Sequence, residues 1–300
     1  MRRLIPDAAY RRGKSLTNVE QRPDGVTAVF ADRTRADGDL LIGADGLRST
    51  VRERCFNAAE PRYAGYVAWR GVLREPDAPQ LVRETIFDRF AFFLPARDMV
   101  LSYPVPGHDG TRDLNWIWYH RVDEAVGLPS ICTDAAGQLH RFSIPPPLIR
   151  RDVIARFRTE ADTLLPPPFA AAMAATEDVF FQPIFDLDSS AVVSGRLALL
   201  GDAAFVARPH VAAGVAKAAL NAAWLTDALV AFPDDIHSAL AAYQARAQPF
   251  GSAMVARARW IGGYLEDPPR AAIAVEPLGL MQAIGAPLWA IPVLAAGLDG

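Results

Sequence analysis

The chain has little cysteine and almost no lysine. Its two cysteines, Cys55 and Cys132, show no CxxC spacing and have no histidine cluster nearby. The sequence therefore predicts structural thiols, with neither a disulfide framework nor a zinc site, and we expect no bound metal. Among 31 basic residues only Lys14 and Lys217 are lysines, and the net charge is −3. This balance gives no electrostatic bias toward nucleic acids.

Signals for secretion and for the common hydrolases are also missing. The first residues carry charges but no apolar core of a signal peptide, and there is no nucleophile elbow and no HExxH motif. Residues 277–298 contain no charge and could span a bilayer by length alone. Because Pro277, Pro287 and Pro292 interrupt this stretch, it predicts short packed helices. We therefore expect a cytoplasmic protein with no membrane partner.

A glycine-rich phosphate loop is the third absence. A dinucleotide fingerprint needs Gly-x-Gly-x-x-Gly between a strand and a helix, so that the backbone can approach a pyrophosphate. The glycines of the N-terminal region are isolated from one another: Gly13, Gly25, Gly38, Gly43 and Gly46.

Two short segments carry the informative pattern. Residues 41–52 read LIGADGLRSTVR, and residues 195–210 read GRLALLGDAAFVARPH. In each, an apolar run ends in small residues and an aspartate, which is typical of a buried strand that delivers a polar turn. Asp202 can accept a hydrogen bond from a sugar hydroxyl. The small residues after Pro209 would let an anionic ligand approach the next helix N-terminus.

Residue patterns predict a mixed helix and sheet protein. Runs rich in β-branched and aromatic residues between turn signals indicate strands, and longer periodic runs indicate helices. The predicted strands are 17–21, 26–30, 33–36, 39–42, 66–73, 90–94, 100–105, 115–120, 180–185 and 197–200. The predicted helices are 49–55, 151–164, 212–230 and 236–265.

In this order the two motifs resemble two of the three flavin-contacting motifs of the FAD-dependent aromatic-ring monooxygenases, which share the para-hydroxybenzoate-hydroxylase-like fold. Residues 208–219, together with 66–71 and 103–107, are similar to the branch that contains 2,6-dihydroxypyridine hydroxylase. The chain departs from many family members at four positions. Those members carry histidine, glycine, asparagine and aspartate at the positions of Phe205, Ala212, Ala216 and Asn221.

The resemblance implies an α/β (α+β) fold. It consists of a truncated Rossmann-like FAD-binding domain, an inserted and mainly antiparallel β-sheet substrate domain, and C-terminal helices. Residues 1–60 and 186–232 would form the two parts of the FAD-binding domain, 61–185 the substrate-domain sheet and 233–300 the C-terminal helical region. Compared with such a fold, we expect that about the first hundred residues, which hold the phosphate loop, are missing.

The resemblance also implies an activity. A complete family member would use FAD, NAD(P)H and O2 to hydroxylate an aromatic or hydroxypyridine-like substrate through a flavin C4a-hydroperoxide. One alternative is a non-catalytic truncated remnant that keeps the fold without stable FAD binding. Another is a different flavin enzyme of the same architecture, such as a reductase. A homodimer is among the assemblies we consider.

Site residues follow from the resemblance and from strand periodicity. The expected cofactor-binding residues are Asp45, Gly46, Arg52, Gly201, Asp202, Pro209, Ala212, Ala213 and Gly214. Arg52 could instead be a solvated arginine on a capped surface helix. His210 is the expected catalytic residue, since an imidazole beside the flavin could polarise a phenolic substrate. The substrate candidates, each of which could also be core or sheet surface, are Tyr103, Trp116, Trp118, His120 and Gln182.

Overall fold

The computed structural model describes residues 5–56, 60–107 and 110–266. The chain divides into two compact units. Among the described residues, unit 1 contains those up to 62 and 186–259, and unit 2 contains 63–185 and 260–266. The functional assignment of the four predicted segments stays a prediction. Within the described ranges, no helix is long and apolar enough to cross a membrane, and residues 277–298 lie outside them.

Unit 1 begins with a three-stranded antiparallel meander and a short strand–helix pair. The turn at Asp24 joins the first two strands, and Val26 and Ala28 of the second strand are buried. The elements are β1 (Leu16–Arg22), β2 (Gly25–Phe30), β3 (Arg35–Gly38), β4 (Leu41–Gly43) and α1 (Thr50–Cys55).

Unit 2 is built on an antiparallel sheet in the order β9-β5-β8-β7-β6. Its aromatic and β-branched strands are joined by turns and by short helices. The elements are β5 (Arg62–Arg74), α2 (Gln80–Thr85), β6 (Ala91–Phe93), β7 (Met99–Pro106), β8 (Arg112–Arg121), α3 (Gly127–Cys132), α4 (Arg151–Leu164), α5 (Pro167–Ala175) and β9 (Phe180–Asp188).

One face of this sheet carries the core of unit 2. Trp69, Trp116 and Trp118 alternate with residues of the other face and surround Phe157 of α4, with ring centroids 4.4, 5.9 and 5.8 Å away. At Gly71 an added Cβ would lie 2.5 Å from the Trp116 ring. Glycine is therefore required where these aromatic side chains pack against the strand.

The chain then returns to unit 1. A small sheet has the order β10-β11-β4, with β11 parallel to β4, while β12 pairs with Leu187–Asp188 at the end of β9. Two long helices cover a core that contains Phe205, and the hydroxyl of Tyr243 donates to Leu199 O at 2.7 Å. The elements are β10 (Val193–Ser194), β11 (Leu197–Leu199), β12 (Phe205–Val206), α6 (Gly214–Ala231) and α7 (Ile236–Gly262).

The mixed helix and sheet class is confirmed, but details differ. α6 begins at Gly214 and not at residue 212, because Ala212 has a left-handed backbone with φ of 49°. Three short helices, α2, α3 and α5, were not predicted. With six to nine residues each, they carry too few turns to show helical periodicity.

Candidate functional site

The polar turns of the two motifs lie at the same end of a small sheet, beyond the carboxyl ends of two neighbouring strands. β4 and β11 pair in parallel, with Leu41 opposite Leu197 and Gly43 opposite Leu199. The carboxyl ends of both strands therefore point the same way, and polar turns follow each of them. A Cβ on Gly43 would lie 2.8 Å from the Leu199 side chain, so this close strand pairing needs glycine at that position.

Arg52 links the two motifs. Its Nη1 donates to Ala203 O at 2.8 Å, and its Nη2 donates to Leu47 O at 2.6 Å. Ser49 caps α1, because its Oγ accepts from Arg52 N at 3.0 Å. Arg52 as a whole is only 5% exposed, and burial lowers the pKa of its guanidinium. Arg52 is therefore not a solvated surface arginine: it is a buried cross-link, a role that sequence analysis missed. Its predicted role in cofactor binding stays a prediction.

One carboxylate oxygen of Asp45 accepts hydrogen bonds from within the protein. Its Oδ2 accepts from Thr50 N at 2.7 Å and lies 3.4 Å from Val51 N, at the start of α1. Gly46 follows with a left-handed φ of 78°, which glycine adopts without strain. Within the described residues Oδ1 has no donor, so it is free to accept from a ligand.

Asp202 repeats this arrangement in the second motif. Its side chain is 55% exposed, and Oδ1 accepts from Lys217 Nζ at 2.7 Å. Lys217 has no exposed surface and also donates to Phe205 O. Burial lowers the pKa of Lys217, and the Asp202 carboxylate opposes that shift. Gly201 adopts a left-handed φ of 60°, and its N–H donates to Asn221 Oδ1 at 3.1 Å.

Sequence analysis missed both Lys217 and Asn221. They stand four residues apart on α6, so they lie on the same face of the helix. The signal was present, because two polar side chains interrupt an otherwise alanine-rich run there.

The N-terminus of α6 is open. Its N-cap residue, Ala213, provides no side-chain cap, while Gly214, Val215 and Ala216 are exposed. A Cβ added to Gly214 would meet nothing within 4 Å. The first backbone N–H groups of this 18-residue helix are thus accessible to an anion or to an electronegative ring edge.

His210 lies inside unit 1, in the turn Pro209–Val211 that precedes this helix. Its imidazole is 3% exposed. Burial, with a smaller effect from Arg208, lowers the pKa of His210 to about 3. The ring is therefore neutral at neutral pH and cannot supply a positive charge to a substrate. Its predicted catalytic role stays a prediction.

A buried ion pair fixes the residues just before His210. Arg208 and Asp186 are each 5% exposed at the side chain, with Nη2 and Oδ2 2.8 Å apart. The second oxygen of Asp186 accepts from Arg259 Nε at 2.8 Å. This carboxylate therefore anchors the loop of the second motif to α7.

The predicted substrate residues divide between the two faces of the unit 2 sheet. Trp116 and Trp118 share one face with His120, as strand periodicity predicts. Both tryptophans have no exposed surface, and Trp116 Nε1 donates to Thr176 Oγ1 at 2.8 Å. Because α4 covers them, these two side chains belong to the core in this structure and are not available to a ligand.

His120 lies at the margin of the same face. Its Nδ1 is 3.0 Å from Asp98 Oδ2, and its Nε2 is 3.8 Å from Glu160 Oε2. It lines a cavity of about 220 Å³ together with Trp69 and Phe157.

Tyr103 and Gln182 belong to the opposite face. Tyr103 pairs with Asn115, the neighbour of Trp116. Phe181 contacts Trp69 in the core, so the adjacent Gln182 points to the other side. If the substrate site lies on this second face, the side chains of Trp116, Trp118 and His120 do not line it.

Two residues that sequence analysis missed share this second face. Arg70 is half-buried and, within the described residues, has no hydrogen-bond or ion-pair partner. The Nδ2 atom of Asn115 is buried and lacks an acceptor there. Arg70 pairs with Ile117, two positions from Asn115 along β8, so both polar groups lie on neighbouring strands.

Known proteins resemble this chain in both sequence and structure. The family described as FAD binding domain-like matches residues 63–186. The 2,6-dihydroxypyridine 3-monooxygenase of Paenarthrobacter nicotinovorans is 31% identical, over 88% of this chain and 66% of its own length. The solved structure of 2,6-dihydroxypyridine-3-hydroxylase from Arthrobacter nicotinovorans has a TM-score of 0.84 at 29% identity, over 92% of this chain and 70% of that one. The chain is therefore similar to FAD-dependent monooxygenases that act on aromatic and hydroxypyridine rings.

A second relative extends the family beyond pyridine substrates. The 3-amino-4-hydroxybenzoate 2-monooxygenase of Streptomyces cremeus is 30% identical, over 85% of this chain and 57% of its own length. The predicted resemblance to this family and the predicted fold are thereby confirmed. The chain spans less than two thirds of the length of these two relatives, 66% and 57%.

Proposed function

We propose that this chain carries the substrate-binding part, and part of the flavin-binding part, of an FAD-dependent monooxygenase. The enzyme hydroxylates an aromatic or hydroxypyridine-like ring with NAD(P)H and O2. The observation that carries this proposal is the parallel pairing of β4 with β11. It brings Asp45 and Asp202 to the same end of the small sheet, and a free carboxylate oxygen remains on each.

The residues present fit part of FAD. The open oxygen of Asp202 would accept from a sugar-chain hydroxyl, and the exposed N–H groups at the start of α6 would face the electronegative edge of the flavin ring. Asp45 and Gly46 would lie near the diphosphate. When bound, FAD supplies the redox and oxygen-transfer chemistry. The chain has no glycine-rich loop for the diphosphate, so its own contacts cover only part of the cofactor.

The second face of the unit 2 sheet supplies substrate recognition in this proposal. Arg70 would pair with a substrate oxyanion, and Asn115 Nδ2 would donate to a ring oxygen or nitrogen. Tyr103 and Gln182 add further polar atoms on that face. The relatives named for dihydroxypyridine and aminohydroxybenzoate support a ring of this kind, because each substrate carries at least one hydroxyl group that such donors can bind.

A cytoplasmic location and a homodimer are part of the proposal as well.

Flavin binding is the first experiment. We expect a fluorescence titration to give a dissociation constant for FAD no tighter than roughly 10 μM, since each absent charge-assisted contact costs on the order of 1.5–3 kcal/mol. Asp202→Ala should weaken binding further. Asp24→Ala, which changes an exposed turn carboxylate in the same unit, is the matched control. Equal affinity in Asp202→Ala and the unaltered chain would contradict the assigned site.

Activity is tested after a glycine-rich unit is supplied. Fusing the corresponding N-terminal unit of the Paenarthrobacter relative to this chain should restore tight FAD binding. It should also restore NAD(P)H oxidation that depends on 2,6-dihydroxypyridine. Arg70→Met should raise KM for the substrate, whereas Arg62→Met, which changes an exposed arginine on the same strand, should not. A fusion that folds but retains no flavin would favour the non-catalytic remnant.

A further inference from the structure

Lys217 is a fully buried cation beneath an exposed carboxylate. Its side chain has no exposed surface, whereas that of Asp202 is 55% exposed. Nζ donates to Asp202 Oδ1 and to Phe205 O, so two of its three protons have acceptors on one turn. A lysine is rarely buried without a partner, because desolvation of the ammonium is costly.

The face of α6 that carries Lys217 contacts other residues of the turn that follows β11. Asn221, one helical turn further on, accepts from Gly201 N at 3.1 Å. A Cβ placed on Gly201 would lie 3.3 Å from Ala218 Cβ, so helix and turn are in close contact. Lys217 N donates to Ala213 O at 2.8 Å, which places the lysine in the first turns of the helix.

Packing alone does not explain a lysine at this position. A methionine would fill a similar volume without a charge to desolvate, and replacing buried ion pairs by apolar residues is often neutral or stabilising. Among the described residues, the polar contacts of the Lys217 side chain go to the turn that carries Asp202. The lysine therefore acts on the position of this carboxylate more than on the filling of the core.

We propose that Lys217 is a positioning residue that holds Asp202 by Oδ1 and thereby presents Oδ2 to a sugar-chain hydroxyl of the flavin cofactor. This inference rests on the proposed function, because it assigns the free oxygen of Asp202 to FAD. It adds a residue outside the two motifs that the family resemblance identified. Without Lys217, the carboxylate would rotate among several conformers, and flavin binding would have to select one of them.

The low lysine content makes a direct test practical. Protein labelled with [13Cε]lysine gives signals from Lys217 and Lys14 alone. We expect Asp202→Asn to shift the Lys217 signal and to lower the pH at which it titrates, because Asp202 favours the charged ammonium. The signal of Lys14, which pairs with Asp32, should not move. A Lys217 signal that is insensitive to Asp202→Asn would overturn the coupling, and this readout needs no flavin.

Flavin binding gives the second readout. Lys217→Met should weaken FAD binding about tenfold, as expected for one lost oriented hydrogen bond, with no loss of thermal stability in the flavin-free chain. Lys14→Met is the control and should bind FAD as the unaltered chain does. In the double variant Lys217→Met/Asp202→Asn, the loss should not exceed that of Asp202→Asn alone.

The outcomes separate this inference from the proposed function. Equal FAD affinity in Lys217→Met and the unaltered chain would overturn the positioning role while leaving the flavin site intact. Additive losses in the double variant would overturn it too. If the unaltered chain and the fusion both fail to bind FAD, the proposed function fails and the flavin half of the inference fails with it. The NMR experiment would still decide the coupling of Lys217 to Asp202.

Discussion

At the scale of single residues, Asp45 and Asp202 share one arrangement. One carboxylate oxygen of each is hydrogen-bonded within the protein, and the other is open to a ligand. Each carboxylate gives one oxygen to an internal donor, the first turn of α1 in one case and Lys217 in the other. This internal bond restricts the side chain, and a restricted acceptor loses less entropy when it binds a ligand. Residue type and position were predictable from the sequence. The internal donors were not, because Lys217 comes from an element that begins twelve residues further on.

Burial of His210 makes stability depend on pH. Its pKa is lowered from 6.5 to about 3, so the neutral imidazole makes its full contribution to the free energy of unfolding above pH 6.5. Below that pH the unfolded state takes up a proton that the folded state does not. Stability should therefore fall by up to about 1.4 kcal/mol per pH unit toward pH 3.

Urea unfolding between pH 7 and pH 5 measures this slope. His210→Gln should flatten it, whereas His237→Gln, at an exposed position of α7, should leave it unchanged. An unaltered slope in His210→Gln would show that the imidazole takes up its proton over the same pH range in the folded and the unfolded chain.

Asp186 should be among the most sensitive carboxylates of unit 1. Asp186→Asn removes the charge shared by Arg208 and Arg259, and breaking a buried pair costs about 3–5 kcal/mol. Chemical denaturation would measure the loss. The control is Asp152→Asn, whose partner is Arg150 and whose side chain is 65% exposed; an exposed pair of this kind contributes less than about 1 kcal/mol. Similar losses in the two variants would contradict the buried pair.

At the scale of elements, the sequence predicts a strand or helix best where the pattern lies within that one segment of the chain. The strands that precede Asp45 and Asp202 show as apolar runs, and the shared face of Trp116, Trp118 and His120 follows from alternation. Which face of the sheet is covered depends on α4, more than thirty residues away from Trp118. The assignment of the tryptophans to the core therefore needed the tertiary structure. Arg52 shows the same limit, because its acceptor Ala203 lies 151 residues along the chain.

Helix α7 provides a test of packing between elements. Gly251 lies in this helix, where alanine would be favoured by intrinsic propensity. A Cβ there would lie 2.2 Å from the Phe205 ring, so Gly251→Ala should cost about 1–3 kcal/mol of unfolding free energy. Gly214→Ala, which meets no atom within 4 Å, is the control and should change it by less than about 1 kcal/mol. Thermal and urea unfolding would compare them, and a stabilised Gly251→Ala would refute the contact.

At the scale of the whole molecule, the small sheet of unit 1 ends in a strand that has no second partner among the described residues. β4 is the last strand in the order β10-β11-β4. The backbone of Leu41 and Gly43 bonds toward the β11 side, so the groups of Ile42 point away from it. Parallel strands are usually paired on both sides and covered on both faces. In the described part of the chain this edge is open, and the Ile42 side chain is 46% exposed.

We therefore expect the purified chain to self-associate through β4 as its concentration rises, because open edges and exposed apolar side chains promote pairing between molecules. Size-exclusion chromatography with light scattering would measure the mass over a concentration series. Ile42→Lys should reduce association, since a charged side chain disfavours edge pairing. Val230→Lys places the same charge on an exposed helix residue, 75% accessible, and should leave association unchanged. A monomer at every concentration, or equal effects of the two lysines, would show that β4 is not the associating edge.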